Sequence, residues 1–275
     1  MKKNIVIIFL ILWGLGLSGY ICYDKFFSKN DNDSVKEKDE KKDEILEEDP
    51  DNKLGFNISY KDEVYTTRNK SGYIISTSKR NLPVINNSNN QDIAKKIVLS
   101  LTGISDKEWN ENIKSMADEV VEMEGYENTT EDMNLGVTYL FTTGICTDRR
   151  LTFKLEMNGS FGGVSWSGES GYNYDARNGN ILKLESIAYD YDKLMDAIIE
   201  KVENNLKSDS YSCLIDDYSS QLENLINMDG NWYFTDKGIR IVFPKYSIAC
   251  GAGGVIGIDI DKNVVNDYIK DEYKV

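Results

Sequence analysis

The stretch "LGVTYLFTTGICTDRRLTFKLEMNGSFGGVSWSGESGYNYDA", residues 135–176, decides the fold class. Within it the runs 135–146, 149–160 and 162–176 alternate apolar and polar residues, with short polar or glycine-rich breaks between them. A period of two belongs to a strand with one buried face, and three such runs in succession read as an antiparallel meander.

Upstream, residues 64–85 are rich in β-branched residues and tyrosine and predict strands near 63–67 and 72–78, ending at Pro83. Ile93, Ile97 and Leu101 then recur at helical spacing, which predicts a helix over 90–101 with Gly103 as its stop. A second helix begins at Ser105, which forms a capping box with Glu108, and sets Trp109, Ile113, Met116 and Val120 on one face.

Downstream, Asn178-Gly179 is the dipeptide of a tight turn, and Ile181–Leu184 continues a strand. Helices over 191–206 and 215–227 follow, then a hairpin turning at Thr235–Gly238, a strand over 255–260 and a helix from Asn263. Strands and helices arrive in blocks, so the class is α+β, a mainly antiparallel sheet with packed helices.

The N-terminus is of another kind. Residues 5–22, "IVIIFLILWGLGLSGYIC", are an uncharged apolar run about as long as a bilayer-spanning helix needs to be. Lys2 and Lys3 precede it and an acidic stretch follows, so the positive-inside rule leaves residues 1–4 in the cytoplasm and exports the rest. A cleaved signal peptide is the rival reading; an uncleaved single-pass anchor in the cell membrane fits the length and flanks better.

Residues 24–53 hold 7 Lys against 12 Asp plus Glu and little that is apolar. Such a segment, 23–54 overall, reads as a disordered acidic linker, or alternatively as a solvated helix closed by Pro50.

The whole chain carries −14 at neutral pH. Setting aside the +2 of Lys2 and Lys3 and the −5 of residues 24–53 leaves −11 on the outer residues 54–275. A field of that sign disfavours nucleic acid and favours a cationic partner, while also serving plain solubility.

The chain has no histidine, which removes Ser-His-Asp and Cys-His nucleophiles and histidine-ligated zinc. Outside the apolar run the cysteines are Cys146, Cys213 and Cys250, at wide spacing. One disulfide among them suits an exported protein and buried thiols suit it equally, and the pairing is not readable.

Near the C-terminus, "IRIVFPKYSIACGAGGVIGIDI", residues 239–260, breaks a strand with Cys250, Gly251, Ala252, Gly253 and Gly254. It lacks the lysine of a phosphate loop, and a strand rather than a helix follows, so no nucleotide and no other cofactor is implied. It reads as a strand-to-strand connection in which Gly251, Gly253 and Gly254 permit positive φ or close backbone approach beside Tyr246.

Asp259, Asp261 and Asn263 begin like a calcium loop, but Val264 and Lys270 stand where glycine and glutamate are needed, so they read as a strand end capping a helix. Trp166 and Tyr172, within "GSFGGVSWSGESGYNY", residues 159–174, either stack on a sugar or anchor a protein ligand, or are core strand aromatics. Glu156, Glu169 and Asp175 lie near them, but nothing in their spacing selects a catalytic pair.

"GYNYDARNGNILKLESI", residues 171–187, then a helix, then "YFTDKGIRIVFPKYSIACGAGGVIGIDI", residues 233–260, resemble the RsiV-like and PdaC-like extracytoplasmic domain family. That domain is shared by a lysozyme-sensing anti-sigma factor and a peptidoglycan deacetylase. The counterparts of its signature are Gly238, Phe243, Tyr246, Ala249, Ala252 and Gly253 or Gly254, with a D-x-x-x-G turn at Asp175–Gly179. The resemblance spans residues 64–270, a PdaC-like part over 55–189 and an RsiV-like part over 190–275.

It implies a membrane-anchored, outward-facing binding or sensing protein of a Gram-positive envelope. Lysozyme or another cationic protein is the implied ligand; cell-wall peptidoglycan, or a carboxylate-dependent wall enzyme, is the alternative. With only Met1–Asn4 before the apolar run and no histidine-bearing catalytic domain, neither a complete anti-sigma factor nor a deacetylase is expected. The residues singled out for ligand binding are Tyr246, Gly251, Gly253, Gly254, Trp166 and Tyr172.

Overall fold

A computed structural model describes residues 55–87, 89–161, 164–208, 211 and 213–275. The expected anchor and linker, residues 1–54, lie outside the described residues. Among the described residues no helix is long and apolar enough to cross a membrane.

Strand β1 (Phe56–Arg68) turns back antiparallel into β2 (Ile74–Asn87). The chain then crosses over through α1 (Gln91–Glu108), a π-helical turn (Trp109–Ile113) and α2 (Lys114–Val121). It returns as β3 (Gly136–Cys146), β4 (Arg150–Phe161) and β5 (Val164–Asp175), the antiparallel meander read from the sequence. Strand order is β1-β2-β3-β4-β5.

The sheet is mixed rather than wholly antiparallel, because β2 pairs β3 in parallel at Lys79↔Thr138 and Arg80↔Tyr139. The helical crossover requires that direction: a chain leaving one strand end and returning over the sheet face re-enters parallel. Strand β2 also runs straight through Pro83, past the predicted stop. Pro83 faces Tyr60 on β1 and lies beyond the two residues that pair with β3, an edge stretch in which a missing N–H is tolerated.

The helical crossover corrects a second boundary. Gly103 does not end a helix; it lies exposed inside α1, and Ser105 is buried mid-helix instead of capping. The true N-cap is Asn90, whose side chain accepts from the amides of Asp92 and Ile93. The buried stripe explains the continuity: Ile97, Leu101, Ser105, Trp109, Ile113 and Ala117 fall every fourth residue. In a regular α-helix each such step overshoots a turn by about 40°. The π-turn takes up one extra residue, roughly 100° of rotation, and keeps the stripe on the sheet.

The second half builds on α3 (Leu184–Ile187), α4 (Tyr191–Ser208) and α5 (Tyr218–Ile226). An antiparallel sheet, β6 (Trp232–Thr235), β7 (Gly238–Phe243) and β8 (Ile256–Asp261), and the short α6 (Lys262–Val265) complete it. Asp261 caps α6 by accepting from Asn263 N at 2.8 Å, as its place at the strand end implies.

Two apolar cores result. Phe141, Phe153 and Tyr174 meet Ile97, Leu101, Trp109 and Ile113 in the first. Phe234, Ile239, Ile241 and Phe243 meet Ile198, Val202, Leu222 and Ile226 in the second.

The seam between the sheets combines a backbone bond, a close ring contact and a row of charged side chains. Gly171 N donates to Gly230 O at 2.9 Å, and the ring of Tyr233 lies where a Cβ on Gly171 would sit, 2.2 Å from its Cδ1. Glu169 on β5 accepts from Tyr233 Oη at 2.7 Å and from Arg240 Nε at 2.8 Å. Arg240 continues to both oxygens of Asp259 on β8 at 3.0 Å, so one ionic row crosses β5 to β8.

Candidate functional site

After β7, Pro244 closes a turn in which Ser247 N and Oγ both donate to Pro244 O, at 3.0 and 2.6 Å. That turn holds Tyr246 in the left-handed region at φ 72°. A bulky residue there is a backbone outlier maintained by its surroundings, the kind that concentrates at ligand sites. The residue is 46% exposed, with the Lys245 ammonium 5.1 Å from the ring centroid.

What maintains it follows in the chain. Ile248 and Ala249 are buried in the second core, and the segment pairs with Cys213–Ile215 through Ile215 N→Ile248 O at 3.0 Å and Cys250 N→Cys213 O at 2.9 Å. A Cys213–Cys250 disulfide closes the same pairing, and Cys146 keeps its thiol. Among the described residues, the non-glycine residues with positive φ are Cys213 and Tyr246, and both belong to this assembly.

Gly251–Gly253 then forms a 3₁₀ turn that feeds β8. A Cβ on Gly251 would stand 2.2 to 2.4 Å from ring atoms of Tyr246, so the ring lies directly on this glycine. Gly254 has φ 65° and turns the chain into the strand. Gly253 does neither: its φ is not positive, and a Cβ there would meet only Ala249 Cβ, at 3.4 Å.

The structure therefore sets the Tyr246 ring on Gly251, and Gly253 and Gly254 continue the same turn, Gly254 N donating to Gly251 O at 3.3 Å. Trp166 and Tyr172 are placed elsewhere. The backbone of Trp166 faces Gly159 in the β4–β5 pair, and its side chain lies outside the described residues. Tyr172 packs against the first core with its ring 6.4 Å from that of Phe141, and burial pushes its hydroxyl above the usual range. Its role there is packing.

The three acids weighed from the sequence are engaged. Glu156 and Glu169 do face each other across β4 and β5, but Glu169 is held by Tyr233 and Arg240. Asp175 accepts from Arg177 Nε at 2.9 Å and Nη2 at 2.7 Å, and from Tyr273 Oη at 3.0 Å. Burial raises its carboxyl pKa, but those hydrogen bonds outweigh burial and hold it below the usual carboxylate range. Among the described residues no group of three or more Asp, Glu or Cys is placed to hold a metal ion.

Sequence reasoning missed Cys213 and Lys245 as parts of this site. Three cysteines without a spacing motif gave no pairing, and nothing local marks the lysine beside the tyrosine as a ring partner.

The geometry acquires a context from known proteins. Residues 181–263 match the DUF3298 family model. Its description is "Protein of unknown function (DUF3298)", and the matched DUF3298 residues contain the disulfide, Tyr246 and the whole glycine loop. The crystal structure of a DUF3298 family member from Bacteroides fragilis superposes with a TM-score of 0.52 at 15% identity, covering 80% of this chain and 96% of that one. That likeness is one of fold. A DUF3298 family protein from Pseudomonas aeruginosa aligns at 12% identity and a TM-score of 0.43, over 81% of this chain and 97% of its own. No curated protein matches the chain.

Proposed function

We propose that the protein is a membrane-anchored, outward-facing binding or sensing module of the RsiV-like and PdaC-like kind, without catalysis of its own. Its ligand is a cationic protein of the lysozyme type, and the edge formed by Tyr246, Lys245 and the Gly251–Gly254 turn receives it. The observation that carries this reading is the fixed, exposed Tyr246 ring. A disulfide-closed loop, a left-handed backbone and a bare glycine all serve to hold one aromatic side chain at the surface.

Aromatic anchors of that kind dominate protein recognition, because they bury large area with little loss of rotamer freedom. The −11 on residues 54–275 supplies attraction at longer range. The apolar run 5–22 supplies the attachment.

The test is binding of the full chain, reconstituted in detergent, to lysozyme and other basic proteins as salt rises from about 20 to about 300 mM. Binding that weakens with salt and falls further in Tyr246→Ala is expected. Absence of salt-sensitive binding to every basic protein tried removes the cationic ligand from consideration.

A further inference from the structure

We infer that the Cys213–Cys250 disulfide controls the Tyr246 edge, so that a dithiol reductant acting on the protein weakens ligand binding there. The inference rests on the binding role proposed for that edge and adds its regulation.

Four observations converge on it. Cys213 is exposed and Cys250 half-buried, so the bond lies at the surface and outside both apolar cores. Cys213 stands at φ 72°, a backbone conformation that a non-glycine residue keeps only where its surroundings impose it, and the disulfide is one of those constraints. The bond closes a short pairing of Cys213–Ile215 with Ile248–Cys250, held by Ile215 N→Ile248 O and Cys250 N→Cys213 O. Cys250 is joined directly to Gly251, on which the Tyr246 ring lies. Cutting the bond thus frees the strained residue, the short pairing and the floor under the ring in sequence.

The chemistry is thiol–disulfide exchange. One thiolate of the reductant attacks Cys213 Sγ, the S–S bond breaks, and Cys250 Sγ leaves as a thiolate that takes up a proton. The second thiol of the reductant then displaces Cys213, which also takes up a proton. Two electrons and two protons pass to the protein, and the dithiol ends as its own disulfide.

The experiment uses the full chain, with and without dithiothreitol in the absence of denaturant. Hydrogen exchange across residues 245–254 reads the loop without any ligand, and lysozyme is the binding probe. Complete reduction, with exchange in 246–254 rising at least about tenfold while β6 and β7 stay protected, is expected. Lysozyme affinity should fall by at least about tenfold in parallel, and Cys213→Ser/Cys250→Ser should reproduce both changes without reductant. Cys146→Ser should leave the response intact, since that thiol takes no part in the exchange.

Unchanged exchange in fully reduced protein overturns the inference, as does a loosened loop with unchanged affinity, or a bond that opens only in denaturant. If oxidised protein fails to bind any basic protein, the ligand reading has failed instead. The exchange arm then still decides whether the bond governs the loop.

Discussion

Asn173 on β5 accepts from the amide of Phe234 on β6 at 3.0 Å, and its Nδ2 donates to Trp232 O at 3.0 Å. A side-chain amide thereby stands in for a strand where the two sheets meet. Asn173 is 2% exposed, and it also accepts from Thr152 Oγ1 at 3.1 Å, so its bonding capacity is nearly filled. Asn81 repeats the device between β2 and β3, exchanging bonds with Phe141 N at 2.6 Å and Phe141 O at 2.9 Å.

Replacing Asn173 by alanine leaves a buried N–H and C=O of β6 unmet, and should cost about 2 to 4 kcal/mol. Chemical denaturation of Asn173→Ala against the parent measures this, with Asn158→Ala on the exposed part of β4 as a near-neutral comparison. Equal midpoints for the two variants would show that the seam is held by other contacts.

The disulfide closes 37 residues, and chain entropy then assigns it roughly 4 kcal/mol of stability as an upper value. Cys213→Ser should lower the unfolding free energy toward that figure. It should do so without altering the far-ultraviolet signal of the folded state, because β6–β8 and α4 keep their own core.

Gly251 and Gly253 should separate binding from stability. In Gly251→Ala the new Cβ takes the place of ring atoms at the far end of the half-exposed Tyr246 side chain and forces the ring off its seat into solvent, so stability should change by less than about 1 kcal/mol while lysozyme binding is lost. Gly253→Ala meets only ordinary contact and should be neutral in both. Titration of each variant with lysozyme, beside a thermal melt, distinguishes them.

Asp175 sets an acid limit. Its folded-state pKa lies below the ordinary 3.8, so the unfolded chain binds the proton first as pH falls. The stabilisation is complete above that ordinary value and is lost as pH drops through the folded one. The gap in melting temperature between the parent and Asp175→Asn should therefore be widest near pH 6 and narrow steadily below about pH 4. A gap constant down to pH 3 would contradict the role given to Arg177 and Tyr273.

Part of this molecule is written plainly in single stretches of sequence. The meander over 135–176, the turn at Asn178-Gly179, the long α4 and the Thr235–Gly238 hairpin each carry their own period or turn residues, and each forms where it is read. The failures are equally specific. Gly103 and Ser105 look like a boundary because propensity acts locally, whereas the helix continues because its stripe has a sheet to bury against. Pro83 looks like a stop because its own letter does not show which edge of β2 lacks a partner.

For the site the division is similar. The glycine-rich break beside Tyr246 is visible in the sequence because special backbone conformations need special residues. Which glycine lies under the ring, which cysteine closes the loop, and that Tyr172 serves the core instead are distances between residues far apart in the chain. The sequence by itself determined the α+β class, the acidic charge and the presence of a glycine loop, since composition and short-range periodicity carry those. Only the tertiary structure decided the parallel β2–β3 pair, the Asn173 seam and the Cys213–Cys250 brace, because each is a contact that forms after folding has brought the partners together.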